Sequence, residues 1–265
     1  MRRGKKSRGI IRNLFTSLLL LIIIFLGYSY YCIVPVKDIN VSEIKNYNSD
    51  NYLSIEEIPK DLQNAFIAIE DHRFYSHFGV DPIAIVGSSI DNIKAKSIVR
   101  GGSTITQQLI KNTYLSPDKN LKRKIQEAFL AMRLERRLDK DEILELYLNT
   151  IYLAHDCIGV KEASLRYFNK NPKNLNLPEA ALLASITKSP AYYAPIKLKE
   201  FKAHDKNAIK SVRIDGKRYN VYINENAISR QKVVLTRMHE LGYMDYDDYR
   251  EAIDYPIEKS IKPVF

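Results

Sequence analysis

Two glutamates, Glu70 and Glu127, enclose a segment of the chain that is rich in cations. Transfer of a glycosyl group needs a base that removes the proton of the acceptor hydroxyl, and a second carboxylate often acts near the reacting sugar. A diphosphate leaving group gains negative charge as its bond breaks, and fixed cations stabilise that charge. The cations of this segment include Lys111, Lys119, Arg123 and Lys124. These residue types together are typical of an acid–base and anion-handling site.

Each of these side chains also has an interpretation that involves no chemistry. Most glutamates are solvated, and charge runs on helices are usually solvated faces. Arg123 precedes Glu127 by four residues, so the two can pair along one helix, which contributes about 0.2–0.5 kcal/mol. The spacing alone leaves Glu127 either on a solvated face or on the wall of a cleft.

Polar side chains cluster where a helix is expected to begin, after the Gly101-Gly102 break. Hydroxyls and amides at a helix start suit a polyhydroxylated or phosphorylated ligand, although the first hydroxyl residues could serve only as N-caps. His72 and His77 stay open between a base, a metal ligand and a structural role. The polar cluster consists of Ser103, Thr104, Thr106, Gln107 and Gln108.

One motif is rejected. Ser185-Ile186-Thr187-Lys188 matches the S-x-x-K pattern of penicillin-binding transpeptidases. Ser49-Asp50-Asn51 matches the S-D-N element of the same set, but it lies upstream, and no K-T-G or K-S-G follows. Because the order is wrong and the third element is missing, we expect no serine that reacts with β-lactams.

Apolar spacing and turn residues predict a mainly α domain. Pro59 opens a helix that ends near Glu70, and Asp81-Pro82 begins a second helix. The turn Ser116-Pro117-Asp118 precedes a long amphipathic helix that includes Glu127. Further helices are predicted over 140–149, 160–168, 178–186 and around 233–238, and a hairpin insertion is predicted at Asp215-Gly216 within 199–226.

The N-terminal residues predict a membrane anchor. The chain has a formal net charge of +10, and over half of that excess comes from six cations that precede residue 13. Residues 14–34 are nearly all apolar and long enough to cross a bilayer. The cationic flank favours an N-terminus inside the cell and a domain on the outer face. A cleaved signal peptide is the alternative, and nucleic-acid binding is not expected because the cations lie where an anchor needs them.

The chain is therefore divided into four parts. We predict a basic cytoplasmic tail over 1–13, a transmembrane anchor over 14–34, a juxtamembrane linker over 35–57 and one catalytic domain over 58–265. The two cysteines, Cys32 and Cys157, imply no disulfide framework. Their spacing from histidines does not suggest a zinc site.

Five blocks in a fixed order resemble the signature of glycosyltransferase family 51, the bacterial peptidoglycan polymerases. Residues 70–81 follow E-D-x-x-F-x-x-H-x-G-x-D, residues 101–112 follow G-G-S-T-I-T-Q-Q-L-x-K-N, and residues 123–127 follow R-K-x-x-E. The fourth block is 140–149, and the fifth includes 159–160 and 167–170. The resemblance runs from about residue 55 to 195, more weakly over 230–238, and is greatest to membrane-anchored monofunctional transglycosylases.

The resemblance implies a mainly α, lysozyme-like fold behind one N-terminal transmembrane helix in a bacterial cell membrane. It implies that lipid II, a disaccharide-pentapeptide on undecaprenyl diphosphate, is added to a growing lipid-linked glycan. Glu70 would deprotonate the acceptor 4-hydroxyl, which attacks the anomeric carbon with inversion and releases undecaprenyl diphosphate. Glu127 would assist near the donor diphosphate, directly or through a divalent ion such as Mg²⁺, and no organic cofactor is expected.

The resemblance also implies a set of substrate-binding residues. Cations of the set would neutralise the leaving diphosphate, and hydroxyls and amides would contact sugars and phosphates. The segment 82–100 would contact the membrane, and other cell-wall synthesis proteins are expected partners. The set consists of Asp71, Phe74, His77, Ser103, Thr104, Gln107, Gln108, Lys111, Asn112, Lys119, Arg123 and Lys124.

The chain departs from the family pattern in three places. The family usually has Ile-Tyr-Phe-Gly where this chain has Ile151-Tyr152-Leu153-Ala154. Ser164 stands where alanine is common, and the insertion around 211–226 is unusual. Two other functions remain as alternatives. A lysozyme-like hydrolase would cleave glycan with the same carboxylate, and a membrane-tethered scaffold would have no catalysis. The cations disfavour the hydrolase, and the intact Glu70 and Glu127 disfavour the scaffold.

Overall fold

The computed structural model describes residues 3–36, 38–97, 101–116, 118 and 120–265, with the backbone alone for 3–12 and 49. Lys119, the side chains of the basic tail and the end of the 82–100 segment therefore lie outside the described residues. The described part is mainly α, as predicted, with a small antiparallel sheet. Its helices are α1 (Arg3–Ile33), α2 (Val41–Asn46), α3 (Lys60–Glu70), α4 (Pro82–Ala95), α5 (Ile105–Tyr114), α6 (Leu121–Leu134), α7 (Lys140–Thr150), α8 (Gly159–Phe168), α9 (Leu177–Ser185), α10 (Pro190–Tyr193), α11 (Glu225–Glu240) and α12 (Tyr246–Asp254), and its strands are β1 (Ile196–Glu200), β2 (Lys210–Ile214) and β3 (Lys217–Ile223).

Side-chain caps fix where the helices of the site begin. Thr104 accepts a hydrogen bond from the backbone N–H of Gln107 at 3.1 Å, and the Gln107 side chain accepts from the Thr104 N–H at 3.1 Å. This reciprocal capping box satisfies two N–H groups that α5 would otherwise leave unpaired. Asp81 caps α4 by accepting from the Ala84 N–H at 3.0 Å. Both caps hold the first turn of a helix that borders the site.

The core lies among α3, α5, α7, α9 and α11. Phe66 of α3 packs edge-to-face on Tyr147 of α7, with ring centroids 6.1 Å apart. The α9 helix is buried on all sides over 178–185. Burial of each large apolar side chain stabilises the fold by about 1.5–3 kcal/mol, so the helix ends that carry polar groups are held on a rigid support.

Two motif glycines permit close contact between elements. Gly79 has a positive φ of 100°, and a Cβ there would lie 2.7 Å from the backbone of Ala131 in α6. A Cβ on Gly102 would lie 2.7 Å from the hydroxyl oxygen of Ser88 and 3.1 Å from Ile85 in α4. Only glycine fits without a shift at Gly79, because both its φ and its space exclude a side chain.

The strands pair in the order β1-β3-β2, and both pairings are antiparallel. The predicted hairpin is present as β2 and β3, joined at Asp215-Gly216, where both residues have positive φ. A two-residue turn of this kind matches the twist of paired strands. The third strand, β1, was not predicted. It follows α10 and places Ile196 in the core.

The N-terminal helix is attached to α6. The stretch Asn13–Ile33 within α1 is long and apolar enough to cross a membrane. At its end, the Gln126 side-chain amide of α6 donates to the Cys32 carbonyl at 2.9 Å. The predicted linker is packed on the domain, because Ile39, Ile44 and Leu53 are buried in the core.

Candidate active site

A cleft of about 830 Å³ opens at the C-terminal end of α3. We call it the Glu70 cleft. One wall is formed by the first turn of α5 and the segment before it, and the opposite wall by α11 and the short turn after α9. The residues that line it include Glu70, Asp71, His72, Gly102, Ser103, Gln108, Lys111, Thr187, Lys188, Arg230, Lys232 and Arg237.

Glu70 is the last residue of α3 and is held by hydrogen bonds on both carboxylate oxygens. The Gln108 amide nitrogen donates to Oε2 at 2.6 Å, and the Thr187 hydroxyl lies 2.5 Å from Oε1. The hydroxyl of Tyr147 donates to the carbonyl oxygen of Gln108 at 3.3 Å, which turns the Gln108 NH₂ toward Glu70. The carboxylate therefore has a fixed orientation at the edge of the cleft.

Tyr147 is suited to act only as a donor in this chain of bonds. Burial first, and then the negative charges of Glu70 and Asp71, raise the pKa of Tyr147 well above its usual value. Its hydroxyl consequently stays protonated at pH values at which an ordinary tyrosine ionises. Gln108 thus has one orientation, with its carbonyl toward Tyr147 and its amide nitrogen toward Glu70.

Glu127 is buried, with 1% of its side chain exposed, and is absent from the lining of the Glu70 cleft. Arg123 contacts its Oε2 at 3.3 Å, and the Lys124 ammonium contacts its Oε1. The i,i+4 pair predicted as a structural alternative has therefore formed. The solvated face is excluded for Glu127. Lys124 also donates to the Ser103 hydroxyl at 2.8 Å, which joins α6 to the cleft wall.

Lys111 connects the two glutamates electrostatically. Burial lowers the pKa of Lys111, Glu127 and Glu70 oppose that shift, and the positive charges of Arg123 and Lys124 add to it. One lysine on the cleft wall is therefore within range of both carboxylates and of both cations on α6. This places Glu70 and Glu127 on one positively charged region, although only Glu70 faces the open cleft.

The surroundings of Glu127 do not fit a divalent metal ion. A Mg²⁺ ion or a similar hard cation needs several oxygen ligands. Both Glu127 oxygens already contact cations. Within the described ranges no group of three or more His, Cys, Asp or Glu side chains lies together. The surroundings of Glu127 thus give no support to a metal-assisted role for this carboxylate.

Several predicted substrate-binding residues support the cleft from behind. Phe74 is fully buried, and the His77 side chain is 4% exposed. His77 Nε2 lies 2.8 Å from Asp71 Oδ2, and its Nδ1 accepts from the Gly79 N–H at 3.1 Å. Phe74 and His77 therefore lie behind the cleft surface, and their contact with substrate stays a prediction. These contacts give His77 a structural role, because both ring nitrogens are engaged.

Three further residues join the first two motif blocks, and of these only Asp71 also lines the cleft. Asp71 accepts a hydrogen bond from the Ile105 N–H at 2.9 Å, which ties the end of α3 to the start of α5. Thr104 and Gln107 are buried in the capping box. Ser103, Gln108 and Lys111 line the cleft, whereas Asn112 is absent from its lining, and substrate binding by these residues stays a prediction.

Sequence reasoning missed the wall opposite Lys111. It contains the cations Lys188, Arg230, Lys232 and Arg237. Within the described part of the chain, the Nε of Arg230 is buried without a hydrogen-bond partner. A buried unpaired guanidinium nitrogen beside a cleft favours an anionic ligand. Arg230 begins the weakly matching tract 230–238, which was the only signal available for it.

Comparison with known proteins gives consistent matches. The profile of the family described as Transglycosylase matches residues 37–239. Penicillin-binding protein 1A of Aquifex aeolicus is 45% identical over 206 residues, which cover 78% of this chain and 25% of that protein. Penicillin-binding protein 1A of Clostridium botulinum strain Langeland is 35% identical over 277 residues, which cover 95% of this chain and 31% of that protein.

Two further comparisons have lower coverage or similarity. Penicillin-binding protein 1F of Bacillus subtilis is 45% identical over 163 residues, which cover 61% of this chain and 23% of that protein. The crystal structure of penicillin-binding protein 1A from Haemophilus influenzae matches 81% of this chain and 18% of that one, with 20% identity and a TM-score of 0.43. The chain spans about a quarter to a third of the length of the Aquifex and Clostridium relatives.

Proposed function

Because the chain belongs to the transglycosylase family, we propose that it polymerises lipid II into the glycan strands of peptidoglycan. A glycosyltransferase role follows from the family. The substrate and the mechanism are our proposal. The observation that carries it is the position of Glu70, a carboxylate held on both oxygens at the edge of a cleft lined by five cations: Lys111, Lys188, Arg230, Lys232 and Arg237.

Glu70 would act as the general base. Its carboxylate removes the proton of the acceptor 4-hydroxyl, and the oxygen attacks the anomeric carbon of the donor sugar. A new glycosidic bond forms on the face opposite the diphosphate, so the configuration inverts. The bond between the anomeric carbon and the diphosphate oxygen breaks, and its electron pair leaves with undecaprenyl diphosphate. The hydrogen bonds from Gln108 and Thr187 orient the carboxylate for this transfer.

The cations would stabilise the diphosphate as its charge develops. Lys111 lies on the side of the cleft that adjoins Arg123 and Lys124, and this side would hold the leaving diphosphate. Glu127 would keep these two α6 cations in place, because its buried carboxylate contacts both. Preorganised charges of this kind are worth more in a sheltered cleft than in water. The role of Glu127 is then to position cations.

The hydrolase and the scaffold remain alternatives with less support. A glycan hydrolase needs no group that stabilises a diphosphate, so the many cations of the Glu70 cleft favour transfer from a diphosphate-linked donor. A scaffold would not need Glu70 to be oriented from both sides. The complete relatives are longer proteins, and any further activity or partner of theirs is not transferred to this chain.

The proposed location is the outer face of a bacterial cell membrane, with the N-terminus in the cytoplasm. The apolar stretch Asn13–Ile33 would be the anchor. The α4 helix also leaves Ile83, Val86, Ile90 and Ile93 exposed along one side. An exposed apolar stripe beside the cleft suits contact with the lipid surface that carries the substrate.

A fluorescent lipid II assay on the full chain tests the proposal. Wild-type protein is expected to make glycan longer than a disaccharide and to release undecaprenyl diphosphate. Glu70→Gln is expected to lower the rate about 10²–10⁴-fold, because the base is lost, while its circular dichroism spectrum and thermal midpoint stay close to wild type. Glu258→Gln, which changes an exposed glutamate outside the cleft lining, is the matched control. Shortening of preformed glycan, or full activity of Glu70→Gln, would refute the assignment.

A further inference from the structure

The hydroxyl of Thr187 lies between two acceptors. Its Oγ1 is 2.5 Å from Glu70 Oε1 and 2.8 Å from the carbonyl oxygen of Ala184. A threonine hydroxyl has one hydrogen to donate and two lone pairs that can accept. It can therefore donate to Glu70 or to Ala184, and it satisfies both contacts only when Glu70 itself carries a proton.

The other oxygen of Glu70 has no such freedom. The Gln108 amide nitrogen donates to Oε2 and cannot accept, and Tyr147 keeps Gln108 in that orientation. The two Glu70 oxygens thus differ in kind. Oε2 faces a fixed donor, and Oε1 faces a hydroxyl that can donate or accept. A proton on Oε1 could be donated in a hydrogen bond to the Thr187 hydroxyl oxygen. A proton on Oε2 would have no acceptor, because the Gln108 amide nitrogen only donates.

We propose that Thr187 is a positioning residue whose hydroxyl hydrogen turns from Glu70 to Ala184 when Glu70 takes the proton of the acceptor sugar. Before the transfer, the Thr187 O–H donates to the Glu70 carboxylate. After it, the Glu70 O–H donates to Thr187 Oγ1, and the Thr187 hydrogen donates to the Ala184 carbonyl. Glu70 keeps the proton that it took from the acceptor sugar, and Thr187 keeps its own hydrogen. The turn therefore changes only which oxygen accepts each hydrogen, so atoms and charge balance. The proposal rests on the proposed function and identifies a group that serves the base in both of its charge states.

The fold holds Thr187 in place for this role. The residue lies in the short 3₁₀ turn Ile186–Lys188, directly after the buried helix α9, and Ile186 is fully buried. Ala184 belongs to that same helix, so the second acceptor is as fixed as the first. Thr187 is the third residue of the S-x-x-K segment that was rejected as a transpeptidase motif, so this segment contributes to the candidate site in another way. Its first residue, Ser185, is buried and donates to the Leu182 carbonyl.

Other ionisable groups line the cleft or lie next to Glu70 and must be held constant in any test. They are Asp71 and His72 after α3, Asp81 before α4, Lys111 on α5, Tyr147 on α7, Lys188 after α9, and Arg230, Lys232, Arg237 and Glu240 on α11.

Two substitutions separate the hydroxyl from the shape of the side chain. Thr187→Val keeps the branched shape and removes the hydroxyl, whereas Thr187→Ser keeps the hydroxyl and removes the methyl group. We expect Thr187→Val to lose about tenfold or more in kcat/KM for lipid II, and Thr187→Ser to stay within about threefold of wild type. Thr113→Val, which removes a hydroxyl that bonds the Leu109 carbonyl within α5, is the control and should leave kcat/KM unchanged.

The pH profile of kcat/KM separates a hydrogen-bonding role of Thr187 from a packing role, because a change in packing alone would not shift the profile. A hydrogen bond to a charged group is stronger than one to a neutral group, so loss of the Thr187 hydroxyl costs the Glu70 carboxylate more than the Glu70 acid. The acid limb of the kcat/KM profile should consequently move to higher pH in Thr187→Val and stay in place in Thr187→Ser. Titration of the Glu70 carboxyl by carbon-13 NMR in the full chain should show the same displacement, with Glu70→Gln used to assign the signal.

The outcomes are distinct. Full activity of Thr187→Val with an unmoved acid limb overturns the proposal, and so does a Thr187→Ser variant as damaged as Thr187→Val, since that result means packing. If Thr187→Val fails to fold, as judged by circular dichroism, Thr187→Ala takes its place. If wild type makes no glycan, the proposed function fails. The NMR titration still decides the role of Thr187, because it needs no substrate.

Discussion

At the scale of residues, the candidate site depends on how one carboxylate and one lysine are surrounded. Glu70 has donors on both oxygens, and Lys111 interacts electrostatically with Glu70 and with the cations of α6. A lysine that lies near other cations and is partly removed from water is easier to deprotonate than one in bulk water. The charge of Lys111 is therefore a property of its surroundings, and it depends on pH more than the charge of an arginine would.

Activity should fall at alkaline pH because Lys111 loses its charge. Partial removal from water lowers the pKa of Lys111, so this cation is lost at a lower pH than that of a lysine in bulk water. Lys111→Arg keeps the positive charge throughout, since arginine stays protonated. We expect the alkaline limb of kcat/KM for lipid II to move to higher pH in Lys111→Arg. The exposed Lys45→Arg on α2 should leave the limb where it is, and an unmoved limb in Lys111→Arg would contradict the assignment.

At the scale of elements, the start of α4 depends on one aspartate. Asp81 accepts from the Ala84 N–H as the N-cap and also pairs with Arg73, whose Nε donates to Asp81 at 2.9 Å. Burial by itself would raise the pKa of Asp81, but the Ala84 N–H and the Arg73 charge lower it by more, so the net shift is downward. The helix that carries the exposed apolar stripe, α4, therefore has its first turn fixed by the charge of Asp81.

The contribution of Asp81 to stability should depend on pH in a defined direction. A carboxyl whose pKa is lower in the folded state stabilises the fold above its ordinary pKa of about 4, and this stabilisation is lost as pH falls through the lowered value. Asp81→Asn keeps a capping side chain but loses this pH dependence. Asp81→Ala also loses the cap and should cost about 0.5–2 kcal/mol more in the free energy of unfolding.

Urea denaturation at pH 7 and near pH 3 measures the charge contribution and the capping contribution of Asp81 to the free energy of unfolding. Hydrogen exchange over 82–95 reports whether α4 opens locally. The difference in the free energy of unfolding between wild type and Asp81→Asn should be smaller at the lower pH. A difference that stays constant with pH would mean that the Arg73 pair contributes nothing.

At the scale of the whole molecule, the anchor and the domain are joined by specific contacts. Gln126 bonds the end of α1, and Arg137 pairs with Asp38 at 2.6 Å just beyond it. Gln126 lies next to Glu127 on α6, so the helix that holds the cations is also the helix that meets the anchor. In the proposed arrangement, these contacts hold the domain close to the membrane surface.

The proposed topology can be tested with two cysteine variants. Cys32 and Cys157 are buried, so the background labelling of the folded chain should be low. In intact cells, a membrane-impermeant maleimide is expected to label Lys206→Cys, an exposed position before β2, and not Ser7→Cys in the basic tail. Permeabilised cells should label both. Labelling of Ser7→Cys in intact cells would reverse the predicted orientation.

Much of the lining of the Glu70 cleft could be predicted from residues that are close in sequence. Glu70, Ser103, Gln108 and Lys111 were all identified from motif order, and the structure places them on one cleft. The mainly α fold and the apolar anchor followed from the spacing of apolar residues, because helix periodicity is a local property. The hairpin followed from Asp215-Gly216, since that dipeptide favours one turn type.

The tertiary structure decided which polar side chains face the cleft and which lie behind it. Phe74 and His77 belong to the same motif as Glu70, yet both are buried, because whether a side chain is covered depends on elements that are distant in the chain. Thr187 and Arg230 could not be assigned for the same reason, since nothing in their local sequence indicates that α9 and α11 pack against α3. The residue types of the site can thus be identified from short sequence motifs. Their exposure and their contact partners are decided only when the helices pack around one core.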